Sequence, residues 1–238
     1  MEKMLPEHMA KMHPKYRVIF EFMNKYGDLY PEIERSFLKK HLLTDMNLAE
    51  KDKEVLSVVV QVYKFLRICP EATKIYDDHF DEIKKHFSID GNICEIGGGR
   101  LPSFANMVAE EQLKTGKGTI TVYDPGLVFL EPMHLNISLH KDYFTKDTAV
   151  SNYDLLVGIH PCEATEIIID SAFKNDKDFY VAMCNCKHDG FNSPKAYQEH
   201  VIDHAKELAN QYNREIEVTS LDRSTYNYPI IYSKKRTR

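Results

Sequence analysis

The sequence predicts an α/β fold, in which a mostly parallel β-sheet ends in an antiparallel hairpin and follows an all-helical region. Apolar residues recur at helical spacing through residues 1–90, where no alternating β pattern is visible. From residue 91 onward, short β-rich segments alternate with helical ones, a pattern typical of a parallel sheet covered on both faces. The last two β-rich segments are separated only by a loop, so an antiparallel pair is expected there.

The helical region covers residues 1–90. Pro31 stands where a helix over 32–41 could start, and Pro70 ends the apolar run 55–69. A last amphipathic helix is predicted over 73–87, with a buried stripe formed by Ile75, Phe80, Ile83 and Phe87. We expect residues 1–90 to form a cap that recognises the substrate, set on a second domain of residues 91–238.

The second region supplies the sheet. Five strands are predicted before the hairpin, over residues 92–96, 119–123, 135–139, 154–159 and 179–184. Helices are predicted between several of them, over residues 104–113, 164–173 and 193–212. The hairpin strands are placed at 215–220 and 230–232, because a parallel crossover would need about a dozen residues or more between them.

Composition and charge exclude several classes of protein. Hydrophobic residues make up 43% of the 238, enough for a substantial core, and no apolar run is long enough to span a membrane. With 31 Lys and Arg against 36 Asp and Glu, the net charge of −5 gives nucleic-acid binding no bulk electrostatic support. An odd number of cysteines, five, favours reduced thiols, and with a polar N-terminal segment we expect a cytoplasmic protein.

A glycine-rich motif, Cys-Glu-Ile-Gly-Gly-Gly-Arg at 94–100, follows the first predicted strand and precedes a helix. Glycines at such a turn let the backbone come close to a ligand, here at the carboxyl end of the strands. Asp124 ends the next strand, where its carboxylate can accept hydrogen bonds from both hydroxyls of a ribose.

This pair of motifs resembles the S-adenosylmethionine-dependent methyltransferase superfamily, whose Rossmann-like domain has an acidic residue, an apolar residue and a glycine cluster after its first strand. Glu95 matches the acidic position, and Asp124 matches the ribose-binding acid. The resemblance implies that S-adenosylmethionine is bound by Glu95, Gly97, Gly98, Gly99 and Asp124. It also implies methyl transfer to an acceptor, which the sequence leaves open between a small molecule, a protein and RNA.

Asp142 follows the third predicted strand. The resemblance implies that an acid at this place accepts a hydrogen bond from the adenine amino group. The other interpretation is a solvated acid in a turn.

His160 stands at the exit of the fourth predicted strand, in Gly158-Ile-His-Pro-Cys162. The resemblance implies that this exit faces the transferable methyl group. We therefore predict that His160 orients the acceptor or takes its proton, since an imidazole titrates near neutral pH. The alternative is a histidine that packs against Pro161 and only shapes the pocket.

Two further segments, GIHPCEATEIII and YVAMCNCKH, resemble a methyltransferase subgroup that includes transfer-RNA 2′-O-methyltransferases. That subgroup has adjacent cysteines where Asn185 here separates two. The same segments hold five candidate metal ligands, namely His160, Cys162, Cys184, Cys186 and His188. Because no Cys-x-x-Cys motif occurs, we expect buried reduced thiols and no bound metal.

Other functions stay open. A dinucleotide enzyme would have Gly-x-Gly-x-x-Gly, but Pro102 occupies the third glycine position, and Glu95 would bring negative charge towards a pyrophosphate. The chain could also be a non-catalytic binding module of the same fold, or an enzyme that uses S-adenosylmethionine for a product other than a methylated one.

Overall fold

A computed structural model describes residues 70–99, 102–127, 132, 134–221 and 228–235. By its contacts the chain divides into two units, residues 1–75 with 131–134 and residues 76–130 with 135–238. The elements described here belong to the second unit from residue 76 onward. The helices predicted before residue 70 lie outside the described residues, so the cap of residues 1–90 stays a prediction.

The sheet of the described residues has seven strands. They are β1 Asn92–Ile96, β2 Thr119–Tyr123, β3 Ile137–His140, β4 Leu155–Ile159, β5 Asp178–Ala182, β6 Glu217–Ser220 and β7 Pro229–Ser233. Their order across the sheet is β3-β2-β1-β4-β5-β7-β6. Neighbours among β1 to β5 pair in parallel, whereas β7 is antiparallel to both β5 and β6. The predicted fold class, a mostly parallel sheet with an antiparallel hairpin at its end, is confirmed.

Four α-helices of the described residues flank this sheet, namely α1 Pro70–His86, α2 Ser103–Thr115, α3 Thr165–Lys174 and α4 Pro194–Gln211, and a short 3₁₀-helix covers Cys162–Ala164. Local sequence explains two of their ends. At the start of α4, Ser193 Oγ accepts a hydrogen bond from the backbone N–H of Ala196 at 3.1 Å, and Pro194 fits the first helical turn. At the end of α2, Gly116 takes the left-handed conformation that a C-terminal cap requires.

Each face of the sheet has its own apolar core, because successive side chains of a strand point to opposite faces. On one face, Ile93 of β1 packs with α1 and α2, and the predicted stripe residues Phe80, Ile83 and Phe87 are buried there. On the other face, Cys94 and Ile96 pack with α3 and α4. Strand β4 is buried along its whole length, as expected for a central strand covered on both faces.

The predicted element bounds differ from the structure in two places that matter. The third strand starts at Ile137 rather than at residue 135, and Leu135 is fully exposed in the turn before it. The fifth strand ends at Ala182, so Cys184 lies beyond it in the following loop. No described helix is long and apolar enough to cross a membrane.

Candidate functional site

The candidate site lies at the carboxyl edge of the sheet, where the five parallel strands end together. Across this edge, Asp142 follows β3, Asp124 follows β2, Gly97 follows β1, His160 follows β4 and Cys184 comes after β5. From β1 the chain runs outwards through β2 and β3 on one side of β1, and it then crosses to β4 on the other side of β1, so the strand order reverses there. Open α/β sheets bind ligands in the crevice at such a reversal of strand order.

The glycine loop, residues 97–99, leaves β1 with a sharp turn. Gly97 and Gly99 have φ angles of 77° and 75°, and the Gly97 N–H donates to the carbonyl oxygen of Tyr123 at 2.9 Å. A Cβ on Gly97 would lie 2.9 Å from the Cα of Pro161, and one on Gly98 would lie 2.7 Å from Val122 Cγ1. A Cβ on Gly99 would meet no atom of the described residues within 4 Å, so Gly99 is less closely packed by them than Gly97 and Gly98 are.

Glu95 is buried at the end of β1, with only 1% of its surface exposed. Its Oε2 accepts a hydrogen bond from the N–H of Ala105 at 3.1 Å. Pro102, at the start of α2, has no side-chain group that could cap the helix, so the Glu95 carboxylate caps it instead. Burial raises the pKa of Glu95 to about 8, the Ala105 N–H lowers it, and the charge of Asp124 raises it further.

Asp124 is partly buried beside the glycine loop. Its Oδ2 accepts a hydrogen bond from the Gly99 N–H at 2.7 Å, and its Oδ1 accepts one from the Gly126 N–H at 2.6 Å. The two backbone groups fix the orientation of the carboxylate. Each oxygen keeps a second lone pair with which it can accept a hydrogen bond from a ligand.

Tyr76 of α1 is a site residue that the sequence analysis missed. It is partly buried, and its pKa is raised to about 12 by burial and by the negative charges of Glu95 and Asp124. Its hydroxyl therefore stays protonated next to the two acids. Nothing in the local sequence distinguishes Tyr76 from the other aromatic residues of the helix, because only the packing of α1 brings it here.

His160 leaves β4 with a φ of 57°, and its N–H donates to the carbonyl oxygen of Ala182 at 2.8 Å. Its ring meets Tyr228 and His79 edge-on, with centroids 5.3 Å and 6.2 Å away. Its Nε2 is buried without a hydrogen-bond partner among the described residues. Burial lowers the pKa of His160 despite an opposing effect of Cys184, and so favours the neutral imidazole.

His79 of α1 also reaches this side of the edge and was not predicted. Its Nδ1 lies 2.7 Å from the hydroxyl oxygen of Tyr180, and both residues are buried. Burial, followed by the nearby His160, lowers the pKa of His79 to about 3. His79 is therefore a neutral hydrogen-bonding group in the wall behind His160.

Asp142 lies in an exposed loop after β3, where its Oδ1 accepts a hydrogen bond from the N–H of Tyr143 at 2.8 Å. The last residue of β3, His140, pairs with the last residue of β2, Tyr123. Asp142 therefore lies at the same edge as Asp124, one strand further out. The rings of His140 and Tyr123 stack with centroids 4.6 Å apart. The binding role predicted for Asp142 stays a prediction.

Three cysteine sulfurs meet beyond the exits of β4 and β5, in what we call the thiol cluster: Cys162, Cys184 and Cys186. Their Sγ atoms all lie within 4.8 Å of one another. A hydrogen bond from Cys162 lowers the pKa of the Cys184 thiol, and the pKa of Cys162 is correspondingly raised. The prediction of buried thiols holds for Cys184 but is wrong for Cys186, which is exposed, and Cys162 is only partly buried.

Comparisons with known proteins found similarity in structure only. No protein-family model matches the chain, and no curated protein matches its sequence. A methyltransferase from Pyrococcus furiosus has a TM-score of 0.46 at 14% identity, covering 67% of this chain and 83% of that one. The precorrin-6y C5,15-methyltransferase from Geobacter metallireducens GS-15 has a TM-score of 0.42 at 13% identity, covering 68% and 87%. Human N-acetylserotonin methyltransferase, in complex with SAM, has a TM-score of 0.42 at 12% identity, covering 92% and 70%.

Proposed function

We propose that this chain binds S-adenosylmethionine at the glycine loop and transfers its methyl group to an acceptor. The observation that carries the proposal is the arrangement of Glu95, the glycine loop and Asp124 at the reversal of strand order. The Asp124 carboxylate is held by the Gly99 N–H and has lone pairs for a ribose, and no atom of the described residues lies within 4 Å of where a Gly99 Cβ would be.

The charge of the site suits a cationic ligand. Glu95 and Asp124 lie close enough for each to influence the same tyrosine, Tyr76, and the charge of Asp124 raises the pKa of Glu95. A sulfonium with an amino-acid tail brings positive charge to this pair and would lower the pKa of Glu95. The Tyr76 hydroxyl remains a donor for the ligand or for either acid.

The same geometry disfavours a dinucleotide. A pyrophosphate needs free N–H groups at the start of the helix after the glycine loop. In α2 the Ala105 N–H donates to Glu95, the Asn106 N–H donates to the carbonyl oxygen of Pro102, and Pro102 has no N–H of its own. The Glu95 carboxylate therefore already takes one of the N–H groups that a phosphate would need.

His160 is proposed as the residue on the acceptor side. A neutral imidazole whose buried Nε2 has no hydrogen-bond partner in the described part of the chain can accept a proton or orient a hydroxyl or amine. Methyl transfer needs the acceptor atom in line behind the sulfonium methyl, so the placement of such a group contributes to the rate. Asp142 is proposed to contact the adenine amino group from the outer side of the edge.

The proposal is tested by titration calorimetry with S-adenosylhomocysteine, comparing the wild type with Asp124→Ala. We expect binding by the wild type and a loss of about 1–3 kcal/mol in the variant, the cost of leaving buried polar groups unpaired. Asp203→Ala, which removes an exposed acid of α4, is the matched control and should bind as the wild type does. Tighter binding of a nicotinamide dinucleotide would overturn the proposal.

Methyl transfer itself is tested with S-adenosylmethionine that carries a labelled methyl group. The protein is incubated with an extract of its own cells, which is then separated into RNA, protein and small molecules. Label in one fraction identifies the class of acceptor. Cofactor binding without turnover would instead indicate a binding module, and consumption of S-adenosylmethionine without transfer of the labelled methyl group to an acceptor would indicate another use of the cofactor.

A further inference from the structure

We propose that Cys162, Cys184, Cys186 and His188 bind one zinc ion. The four residues come from two loops, since Cys162 follows β4 and the other three follow β5. Parallel pairing of these strands brings the two loops to the same edge of the sheet. The proposal concerns a site next to the cofactor loop and does not depend on methyl transfer.

The distances between the sulfurs fit a single tetrahedral ion, whereas His188 lies near Cys184 but outside the group of three sulfurs, so its side chain would have to move towards the ion to become the fourth ligand. With zinc–sulfur bonds of about 2.3 Å and zinc–nitrogen bonds of about 2.0–2.1 Å, two sulfurs lie about 3.8 Å apart and a sulfur and a nitrogen about 3.6 Å apart. Cys162 Sγ lies 3.6 Å from Cys184 Sγ and 3.8 Å from Cys186 Sγ. Cys184 Sγ lies 3.7 Å from His188 Nε2.

The chemistry of the donors selects the metal. Thiolate sulfur is a soft ligand that favours zinc over calcium or magnesium, and three cysteines with one histidine form a common closed zinc site. Sulfurs this close together leave no space for a cluster of several iron atoms between them. A closed set of four protein ligands indicates a structural ion.

The surroundings hold the candidate ligands in place, as the outer residues of metal sites do. Thr165 Oγ1 donates to the carbonyl oxygen of Cys162 at 2.7 Å, and Gln198 Nε2 donates to that of Cys184 at 3.0 Å. The His188 ring stacks on the ring of Tyr197 with centroids 3.6 Å apart.

The backbone at Cys162 gives a further indication. Its φ is 49°, in the left-handed region that a residue with a side chain rarely adopts. Such strain persists where the surroundings require it, and it concentrates at functional sites. Here it directs the Cys162 side chain towards the two sulfurs of the other loop.

The proposed ion would link the exits of β4 and β5. His160 lies two residues before Cys162, and Pro161 between them packs against Gly97 of the glycine loop. An ion at the thiol cluster would therefore hold both His160 and one wall of the glycine loop. The sequence predicts no metal because it contains no Cys-x-x-Cys motif, whereas here the ligands come together from positions as far as 22 residues apart, Cys162 and Cys184.

The experiment measures metal in the full chain, purified under reducing conditions without chelators. We expect elemental analysis to find one zinc per chain. After replacement of zinc by cobalt(II), we expect the strong visible absorption of a tetrahedral ion bound by several thiolates. Cys186→Ser and His188→Ala should each weaken zinc binding roughly tenfold or more, since each removes a direct ligand.

Matched controls separate ligand loss from damage to the fold. Asn185→Ser changes the exposed neighbour of Cys186, and His200→Ala removes a histidine of α4 outside the cluster, so both should bind zinc as the wild type does. Zinc should also raise the melting temperature of the wild type but not that of Cys186→Ser.

Four results would overturn the proposal: a wild type without zinc and without the cobalt absorption, a disulfide between Cys162 and Cys184 in the protein as isolated from cells, copper or iron as the bound metal, or unchanged zinc affinity in Cys186→Ser. Unchanged affinity in His188→Ala would overturn the assignment of the fourth ligand.

Discussion

The two halves of the carboxyl edge are built in different ways. At the exits of β1 and β2, the site consists of backbone amides and two carboxylates that lie close to glycines in the chain. At the exits of β4 and β5, it consists of an imidazole and thiols that strand pairing brings together from separate loops. A short contiguous motif is therefore enough to form the loop at the exits of β1 and β2, whereas the group at the exits of β4 and β5 forms only through strand pairing in the sheet.

Burial shifts pKa values in opposite directions in the two halves, although the mechanism is the same. It raises the pKa of the acid Glu95 and lowers the pKa of the base His160, because a low-dielectric interior disfavours the charged form of either. Both groups therefore tend towards neutrality until a ligand arrives. A cationic cofactor would restore the charge of Glu95, and an acceptor would supply the partner that His160 Nε2 does not find among the described residues.

The largest effect is expected on the β4 side. If His160 takes a proton from the acceptor, His160→Ala should lower kcat by roughly 10²–10⁴-fold, the usual contribution of a general base. The rate of label transfer to the acceptor fraction of the cell extract measures this. Affinity for S-adenosylhomocysteine should stay unchanged, since His160 is proposed to act on the acceptor. Full turnover in His160→Ala would mean that the histidine only shapes the pocket.

On the β1 side, Glu95 should make the stability of the free protein depend on pH. Its pKa of about 8 in the folded state exceeds its ordinary value of 4.5, so the folded protein keeps a proton that the unfolded chain has lost. The free energy of unfolding should therefore fall as pH rises from about 4.5 to 8, by up to about 1.4 kcal/mol for each unit of the shift.

Glu95→Gln keeps an oxygen for the Ala105 N–H but cannot ionise, so it should lose this pH dependence. Urea unfolding at several pH values compares the two proteins. They should be similarly stable near pH 4.5, and the variant should be several kcal/mol more stable above about pH 8. Parallel pH curves would show that Glu95 is ionised in the folded protein.

Two glycines test whether the halves are coupled through Pro161. Gly97→Ala should lower the free energy of unfolding by about 2–4 kcal/mol, because left-handed strain adds to a collision with the Pro161 backbone. Gly99→Ala, with nearly the same φ and no atom of the described residues within 4 Å of the new Cβ, should lose only about 1–2 kcal/mol. Denaturant unfolding measures both, and equal losses would show that the contact with Pro161 does not matter.

The smallest effect is expected at the outer end of the edge. Asp142→Ala should weaken S-adenosylhomocysteine binding by about 0.5–1.5 kcal/mol, the net value of one hydrogen bond. Calorimetry with S-inosylhomocysteine, whose base lacks the amino group, provides the control. The variant should bind that analogue as well as the wild type does, and an equal loss for both ligands would place Asp142 away from the adenine.

The elements of the sheet could be predicted from sequence because they depend on local pattern. The predicted bounds of β1 and β2 match the structure, since a short apolar run flanked by turn residues specifies a buried strand almost unaided. The third strand was placed two residues early, because Leu135 is as apolar as a core residue although it is fully exposed. Exposure depends on what packs nearby, which the local pattern does not contain.

By itself, the sequence determined the fold class and the first half of the candidate site. Glu95 lies at the end of β1, the three glycines come directly after β1 and Asp124 directly after β2, so strand order was enough to bring them to one edge. Only the tertiary structure decided that Tyr76 and His79 of α1 reach this edge, and that three sulfurs meet beyond β4 and β5. The physical reason is that these contacts join residues far apart in the chain, and their distances are set by helix packing and strand register.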